Sequence, residues 1–240
     1  LRILNISVCI LHMLITILFV QLPVLLADAG ITLALQWQWY FPVLIVSLLG
    51  LITLMRGAQT HPKLVMQLSI VCMTLCFIGL EVNPTLTLSL WHLFGLVSVF
   101  FIGFNYLEAN IPALVSSIAP AGNKGSAMGI YASFQFFGAF LGGIISGLMI
   151  SSFSTTALYT LCILIGVIWL VIISTLSHHQ QLKRVTLSLN QANYSVVEIA
   201  QRLQAITGII DITVVEDEQA AYLKVDPKTF DLALAEQAVQ

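Results

Sequence analysis

Glu108 and His12 are the two residues of this sequence whose chemistry is out of place in their surroundings. Each stands deep inside an apolar stretch. An ionisable group at the centre of a bilayer costs about 2.5–3.5 kcal/mol on insertion scales, so it faces protein or water and commonly has work to do. Glu108, in "FNYLEANIP", lies 11 residues before Ala119, about 16 Å along a helix. Asn105 and Pro112 share its helical face. Three readings of Glu108 stay open: an ion pair with a base at the helix ends, Arg56 being the first choice; a proton carrier whose burial favours the neutral form; or a carboxylate that reaches a wet cavity and is merely accommodated. His12 lies about 15 Å along its helix from Arg2, near mid-depth. It can bind a substrate, relay protons, or pack as a neutral, hydrogen-bonded imidazole.

Other polar residues within apolar stretches extend this set. Gln21 and Pro23 lie further along the His12 helix and predict a kink with a polar contact. Tyr131 and Gln135, four apart, form a polar strip on another helix and are candidates to line a pathway. Gln36, Trp37 and His92 read as interfacial. Gly125/Gly129, Gly138/Gly142 and Gly143/Gly147 are three small-xxx-small pairs, a spacing that lets backbones approach closely. They predict a smooth sliding face toward a further helical half, or else fixed packing inside this bundle. Gly125, near a helix start, leaves backbone N–H groups that an acid could cap. Cys9, Cys72, Cys76 and Cys162 all fall in apolar runs and read as small buried hydrophobes. No nucleophile–base constellation, phosphate loop or HExxH spacing points to an enzyme, and neither a cofactor nor a metal is expected.

The elements that must position these residues are membrane helices. The chain is 58% hydrophobic and 8% charged, where water-soluble domains carry about 25% charged residues. The deficit is uneven: residues 1–176 hold four Lys/Arg and three acids, residues 177–240 five and eight. A helix needs about 20 apolar residues to cross hydrocarbon. Six such spans are predicted at 3–26, 33–55, 64–82, 86–118, 126–150 and 156–176. "ADAG", "RGAQTHPK", "EVNPT", "APAGNKG" and "SSFSTT" break them. Arg2, Arg56, Lys63, Lys124, Lys183 and Arg184 all fall on one side, while Asp28 and Glu81 occupy the other. Excess Lys/Arg marks the cytoplasmic side, so both ends of the chain are expected there. The chain starts at Leu1 and enters an apolar run at once, which reads as a fragment lacking an N-terminal part. The net charge of -2 gives no reason to expect nucleic-acid binding.

After a linker expected at 177–183, residues 184–240 read as a small α+β domain. "RVTLSL" alternates as a strand, and "SVVE" is a capping box joining Ser195 and Glu198. Val197, Ala200, Leu203 and Ile206 give that helix an apolar face, and Gly208 ends it. "IIDITVV" and "AAYLKV" are two further strands. Asp226 with Pro227 starts a last helix, whose face is expected to hold Phe230, Leu234 and Ala238. The order β-α-β-β-α is one strand short of a ferredoxin-like unit, so that last strand is expected to be cut off or absent. Element order and "AITGIIDITV" make the tail similar to heavy-metal-associated domains. Their Cys-x-x-Cys loop is replaced here by "NQANY", so soft-metal binding is not expected. His178 and His179 point about 100° apart on a helix and read as linker rather than ligands.

Two stretches carry a wider resemblance. "FNYLEANIPALVSSIAPAGNKGSAMGIYASFQFFGAFLGG" (104–143) resembles the tenth and eleventh helices of the bacterial drug-efflux-like branch of the major facilitator superfamily. "RGAQTHPK" (56–63) sits where the second half of that superfamily repeats its basic cytoplasmic loop, in degenerate form. The six spans resemble the C-terminal half of such a transporter, and the tail resembles that of the YajR-type subgroup. The fold implied is an all-α six-helix bundle, two inverted three-helix repeats, followed by a ferredoxin-like domain. The resemblance implies proton-coupled efflux of small organic or drug-like solutes across a bacterial inner membrane, by alternating access against an N-terminal six-helix half. It also implies a cytoplasmic gate drawn from Arg56, Lys63, Glu108 and Lys124. A membrane-anchored regulatory module whose tail binds a partner or ligand is the alternative.

Overall fold

A computed structural model describes residues 1–86, 89–119, 123–176, 183–189, 195–215, 219–226 and 229–239. The expected linker except Lys183, with His178 and His179, and the loop 190–194 lie outside them. The chain divides into two units, residues 1–115 with 128–176, and residues 116–127 with 177–240.

Among the described residues, six helices are long and apolar enough to cross a membrane. They are α1 (Arg2–Asp28), α2 (Gln36–Ala58), α3 (Pro62–Leu86), α4 (Leu90–Ile118), α5 (Lys124–Ser152) and α6 (Thr155–Ser174). Local chemistry sets their ends. Gly30, at φ +87°, closes α1: Ile31 N–H donates to Leu26 O at 2.8 Å and Gly30 N–H to Ala27 O at 2.9 Å. This is the paired backbone closure that a left-handed glycine allows. Ser154 caps α6 by accepting from Ala157 N–H at 3.1 Å. Lys63 donates to the carbonyls of Ser174 (2.6 Å) and Leu176 (2.7 Å), satisfying acceptors that the end of α6 leaves open. The break expected at "EVNPT" comes later, because α3 continues to Leu86.

Lipid offers helices no hydrophobic drive to associate, so close backbone approach and interhelical hydrogen bonds hold the bundle. A Cβ on Gly138 would collide with the Cys9 carbonyl, and one on Gly142 would sit 2.6 Å from the Met13 carbonyl. Both glycines therefore seat α5 on α1. For this pair the expected sliding face is corrected to fixed packing within the bundle. Gly125, Gly129, Gly143 and Gly147 have open space where a Cβ would stand. Gly166 lies against Thr74 and Gly103 against the Ser69 carbonyl, bringing α6 and α4 onto α3. Buried Trp169 on α6 donates to Ser7 Oγ on α1 at 3.0 Å. Thr160 on α6 donates to Glu81 on α3 at 2.7 Å. Trp37 and Trp91, 62% and 81% exposed, stand near the starts of α2 and α4, as an interfacial aromatic belt requires. Gln36, expected at the interface, is buried and donates to the Pro23 carbonyl at 2.9 Å, tying α2 to the kink-prone part of α1.

In the second unit, β1 (Lys183–Ser188), α7 (Val196–Gln204), β2 (Ile209–Val215), β3 (Ala220–Val225) and α8 (Leu232–Val239) follow in order. The sheet is antiparallel with order β1-β3-β2, pairing Val185 with Leu223 and Ile212 with Leu223. Ser195 and Glu198 form the capping box, and Gly208 takes φ +93° after α7. Leu187, Ile199, Leu203, Leu223, Val225, Ala235 and Val239 build the core. Ile199, which the expected face of α7 omitted, is buried, and Leu234 is exposed rather than inward. The physical reason is phase: α8 starts at Leu232, so Phe230 precedes it and sets no helical register with Leu234. Ala235 and Val239 turn inward instead. Lys224 is buried on β3 and donates to the carbonyls of Ile118, at 2.9 Å, and Ala119. It also pairs with Asp211 at 3.8 Å.

Candidate functional site

Three helices bring three of the expected residues together. His12 comes from α1, Glu108 from α4 and Gln135 from α5. His12 Nε2 stands 3.6 Å from Glu108 Oε2. The Gln135 side-chain amide donates to His12 Nε2 at 2.8 Å and reaches Glu108 Oε1 at 3.5 Å. On its other side the imidazole meets its own helix, with Nδ1 3.2 Å from the Val8 carbonyl. A carbonyl only accepts, so Nδ1 carries the proton. Nε2 is then a lone-pair acceptor, and the Gln135 amide supplies the hydrogen it needs. The arrangement fits a neutral imidazole beside a carboxylate, bridged by one amide with two hydrogens.

The register behind this meeting is simple. His12 is ten residues after the start of α1, Glu108 ten before the end of α4, and Gln135 eleven after the start of α5. Those three ends are the ones that carry or adjoin Arg2 and Lys124. At 1.5 Å per residue all three side chains lie at a common depth of roughly 15–17 Å. The seating of Gly138 and Gly142 on α1 fixes α5 close enough for the amide to reach. Phe104, one helical turn before Glu108, meets the His12 ring edge-on at 6.0 Å and stacks on Phe100, so the polar group has an aromatic wall. The His12 side chain is 14% exposed and that of Glu108 36%. The cluster is thus reachable from one side, through Glu108.

Two buried polar atoms here make no hydrogen bond among the described residues. Tyr131 lies one turn before Gln135 on α5 and is 4% exposed. Its hydroxyl, like Glu108 Oε2, makes no hydrogen bond among the described residues. A buried hydroxyl without a partner is costly.

The remaining candidates are placed elsewhere. Gln21 is buried on α1, nine residues and about 13 Å along the helix from His12. Asn105 donates to Ser47 Oγ at 3.1 Å, joining α4 to α2. Arg56 is exposed in the last turn of α2, and among the described residues the side chains that pair or hydrogen-bond with Glu108 are those of His12 and Gln135. Lys63 is engaged at the end of α6, and Lys124 is exposed at the start of α5. Separately, a cavity of about 360 Å³ opens between the starts of α2 and α4, lined by Gln38, Trp39, Pro42, Leu90, Trp91 and Phe94. The signal in the sequence that pairs His12 with Glu108 and Gln135 is their equal distance from the helix ends that carry the bases.

Residues 4–206 match the sequence pattern of the Major Facilitator Superfamily, and residues 184–240 match the YajR YAM domain. The chain is 30% identical over 239 residues to the inner membrane transport protein YajR of Escherichia coli K12, covering 99% of this chain and 52% of that protein. Over 75 residues it is 32% identical to an uncharacterized transporter of Buchnera aphidicola, covering 31% of this chain and 19% of that one. The chain therefore spans about half the length of the first relative and a smaller share of the second. Six membrane-length helices, a small α+β domain and these matches lead to one conclusion: the chain belongs to the Major Facilitator Superfamily and is of the type that carries a YajR YAM domain.

Proposed function

We propose that this chain is the C-terminal half of a secondary transporter that exports small organic solutes in exchange for protons, and that His12, Glu108 and Gln135 form its protonation site. The observation that carries this reading is the 3.6 Å approach of an imidazole and a carboxylate at mid-depth of the bundle, with an amide touching both. Imidazole changes charge between about pH 5 and 8, and an acid beside it offers a second place for the same proton. The unpartnered Tyr131 hydroxyl and Glu108 Oε2 give a solute two polar contacts against the wall made by Phe104 and Phe100.

The partners in this reading are the bilayer, protons, a small solute and an N-terminal six-helix half, against which the bundle rocks. α2 and α5 supply the apolar surface for that half: Phe41, Leu49, Phe136 and Phe140 are all exposed on them. Gly143 and Gly147 lie open on α5. Arg56 and Lys124, both exposed, are the bases this reading assigns to an inner gate against that half. The membrane is the bacterial inner membrane, with the Lys/Arg-bearing loops and both ends of this chain cytoplasmic. The tail from residue 184 is a cytoplasmic ferredoxin-like domain, a reading supported by its β1-β3-β2 order. The test is uptake and efflux in proteoliposomes under an imposed pH gradient. Glu108→Gln and His12→Gln each abolish the response to the gradient, while solute exchange without a gradient continues for one of them. Full gradient-driven transport in both variants overturns the reading.

A further inference from the structure

Gln135 makes a chemical demand that the rest of the site must meet. Its amide group donates to His12 Nε2 at 2.8 Å and approaches Glu108 Oε1 at 3.5 Å. Both bonds use the same nitrogen, so the amide oxygen points away from both partners. The His12 tautomer is set from the other side by Val8 O, which takes the Nδ1 proton. This network is complete only while Nε2 is bare. When Nε2 gains a proton it becomes a donor facing a donor, and the 2.8 Å contact turns repulsive. An amide relieves this by rotating its terminal torsion through about half a turn, which exchanges oxygen for nitrogen at nearly constant volume. The oxygen then accepts from Nε2–H. The same rotation carries the N–H groups away from Glu108 Oε1 and leaves the carboxylate facing the imidazolium, whose Nε2 stands 3.6 Å from Oε2.

We infer that Gln135 is a two-position switch, its amide nitrogen facing His12 and Glu108 while His12 is neutral and its amide oxygen facing His12 once His12 is protonated. Gln135 is a positioning residue here: it translates the state of one proton into a changed hydrogen-bond pattern between α5 and α4. The groups around His12 leave this role to Gln135. From α4 the charged group facing the ring is Glu108. α5 contributes Gln135, with Tyr131 as the titratable group one turn away. α6 has no charged residue, and its titratable groups are Tyr159 and Cys162. On α1 itself the nearest is Cys9. Among the described residues only Gln135 makes a hydrogen bond from another helix to the His12 ring. This inference rests on the protonation site proposed above and adds the response of α5 to it.

The experiment is a pH titration by nuclear magnetic resonance of the protein in lipid nanodiscs, with nitrogen-15 in the histidine rings and glutamine side chains. His12→Gln and Gln135→Leu identify the two signals. The expected result is one protonated and one bare ring nitrogen on His12 at high pH, both protonated at low pH, and a Gln135 amide signal that moves with the same midpoint. Gln135→Glu, ionised, can only accept, and is expected to hold both His12 nitrogens protonated to higher pH, shifting the midpoint up. A Gln135 amide signal that stays fixed while His12 titrates overturns the switch and leaves the protonation site standing. A His12 ring that keeps one form at every pH overturns the protonation site, and the switch with it.

Discussion

His12 on α1 and Glu108 on α4 face each other at 3.6 Å across the bundle, although 96 residues of sequence separate them. Among the described residues, neither pairs with a base at the helix ends. The carboxylate meets an imidazole and an amide from within the bundle, and this has consequences that mutation can read.

The pair is expected to be energetically coupled. In a double-mutant cycle on thermal unfolding in detergent, His12→Gln and Glu108→Gln give an interaction energy of about 0.5–3 kcal/mol. Glu108→Gln with Arg56→Gln adds within about 0.5 kcal/mol, as sites without shared contacts do. A large Glu108–Arg56 coupling together with an additive His12–Glu108 pair would reverse the assignment of partners.

The glycines of α5 are expected to separate into two classes. Gly138→Ala drives a methyl group into the Cys9 carbonyl and Gly142→Ala into that of Met13. Each destabilises the bundle by about 1–3 kcal/mol, seen as a lower melting temperature. Gly143→Ala and Gly147→Ala meet nothing within 4 Å and are neutral, or stabilising by up to about 1 kcal/mol through helix propensity. Equal losses at all four positions would refute the division.

Lys63 is expected to act at the end of α6. Lys63→Met removes the donor to the Ser174 and Leu176 carbonyls. The last turn of α6 then frays, and amide hydrogen exchange accelerates over residues 172–176, by about fivefold for a contact of about 1 kcal/mol. Lys63→Arg restores much of the protection, because it keeps the charge and the donors. Unchanged exchange in Lys63→Met would show that the contact does not hold the helix end.

The capping box sets a pH dependence in the tail. Hydrogen bonds from the Ser195 backbone N–H and then its hydroxyl hold the Glu198 carboxyl below its ordinary value of 4.5. A depressed folded value means that the unfolded state binds the proton more readily. The contribution of Glu198 is therefore fully present above about pH 4.5 and is lost as pH falls through the lower folded value. Hydrogen exchange in α7 is expected to show reduced stability below that range, and Glu198→Gln to flatten the dependence. A profile identical in wild type and Glu198→Gln counts against the assignment.

The outline of this fold was written in uninterrupted apolar runs, turn residues and a strand–helix alternation after residue 183. Those features need only the local period of the chain. Contacts between helices were harder, because they depend on how each helix is rotated about its axis. Gly138 and Gly143 belong to the same glycine-rich pattern, yet one meets a backbone carbonyl and the other open space. Counting four from Phe230 places Leu234 inward, but that count runs outside α8, whose own start puts Ala235 in the core. Glu108 drew attention as a lone acid. Its true neighbours follow from depth, since His12 and Gln135 sit equally far along their own helices, whereas charge alone favoured Arg56.

The seating of Gly138 against Cys9 and of Gly142 against Met13 leaves the first and fifth helices no clearance to slip past each other. They are expected to move as one stiff plank. A tilt of that plank conserves the 2.8 Å contact between Gln135 and His12, both of which ride on it. Glu108 rides on the fourth helix, so the gap that opens or closes during such a tilt is the one between acid and imidazole.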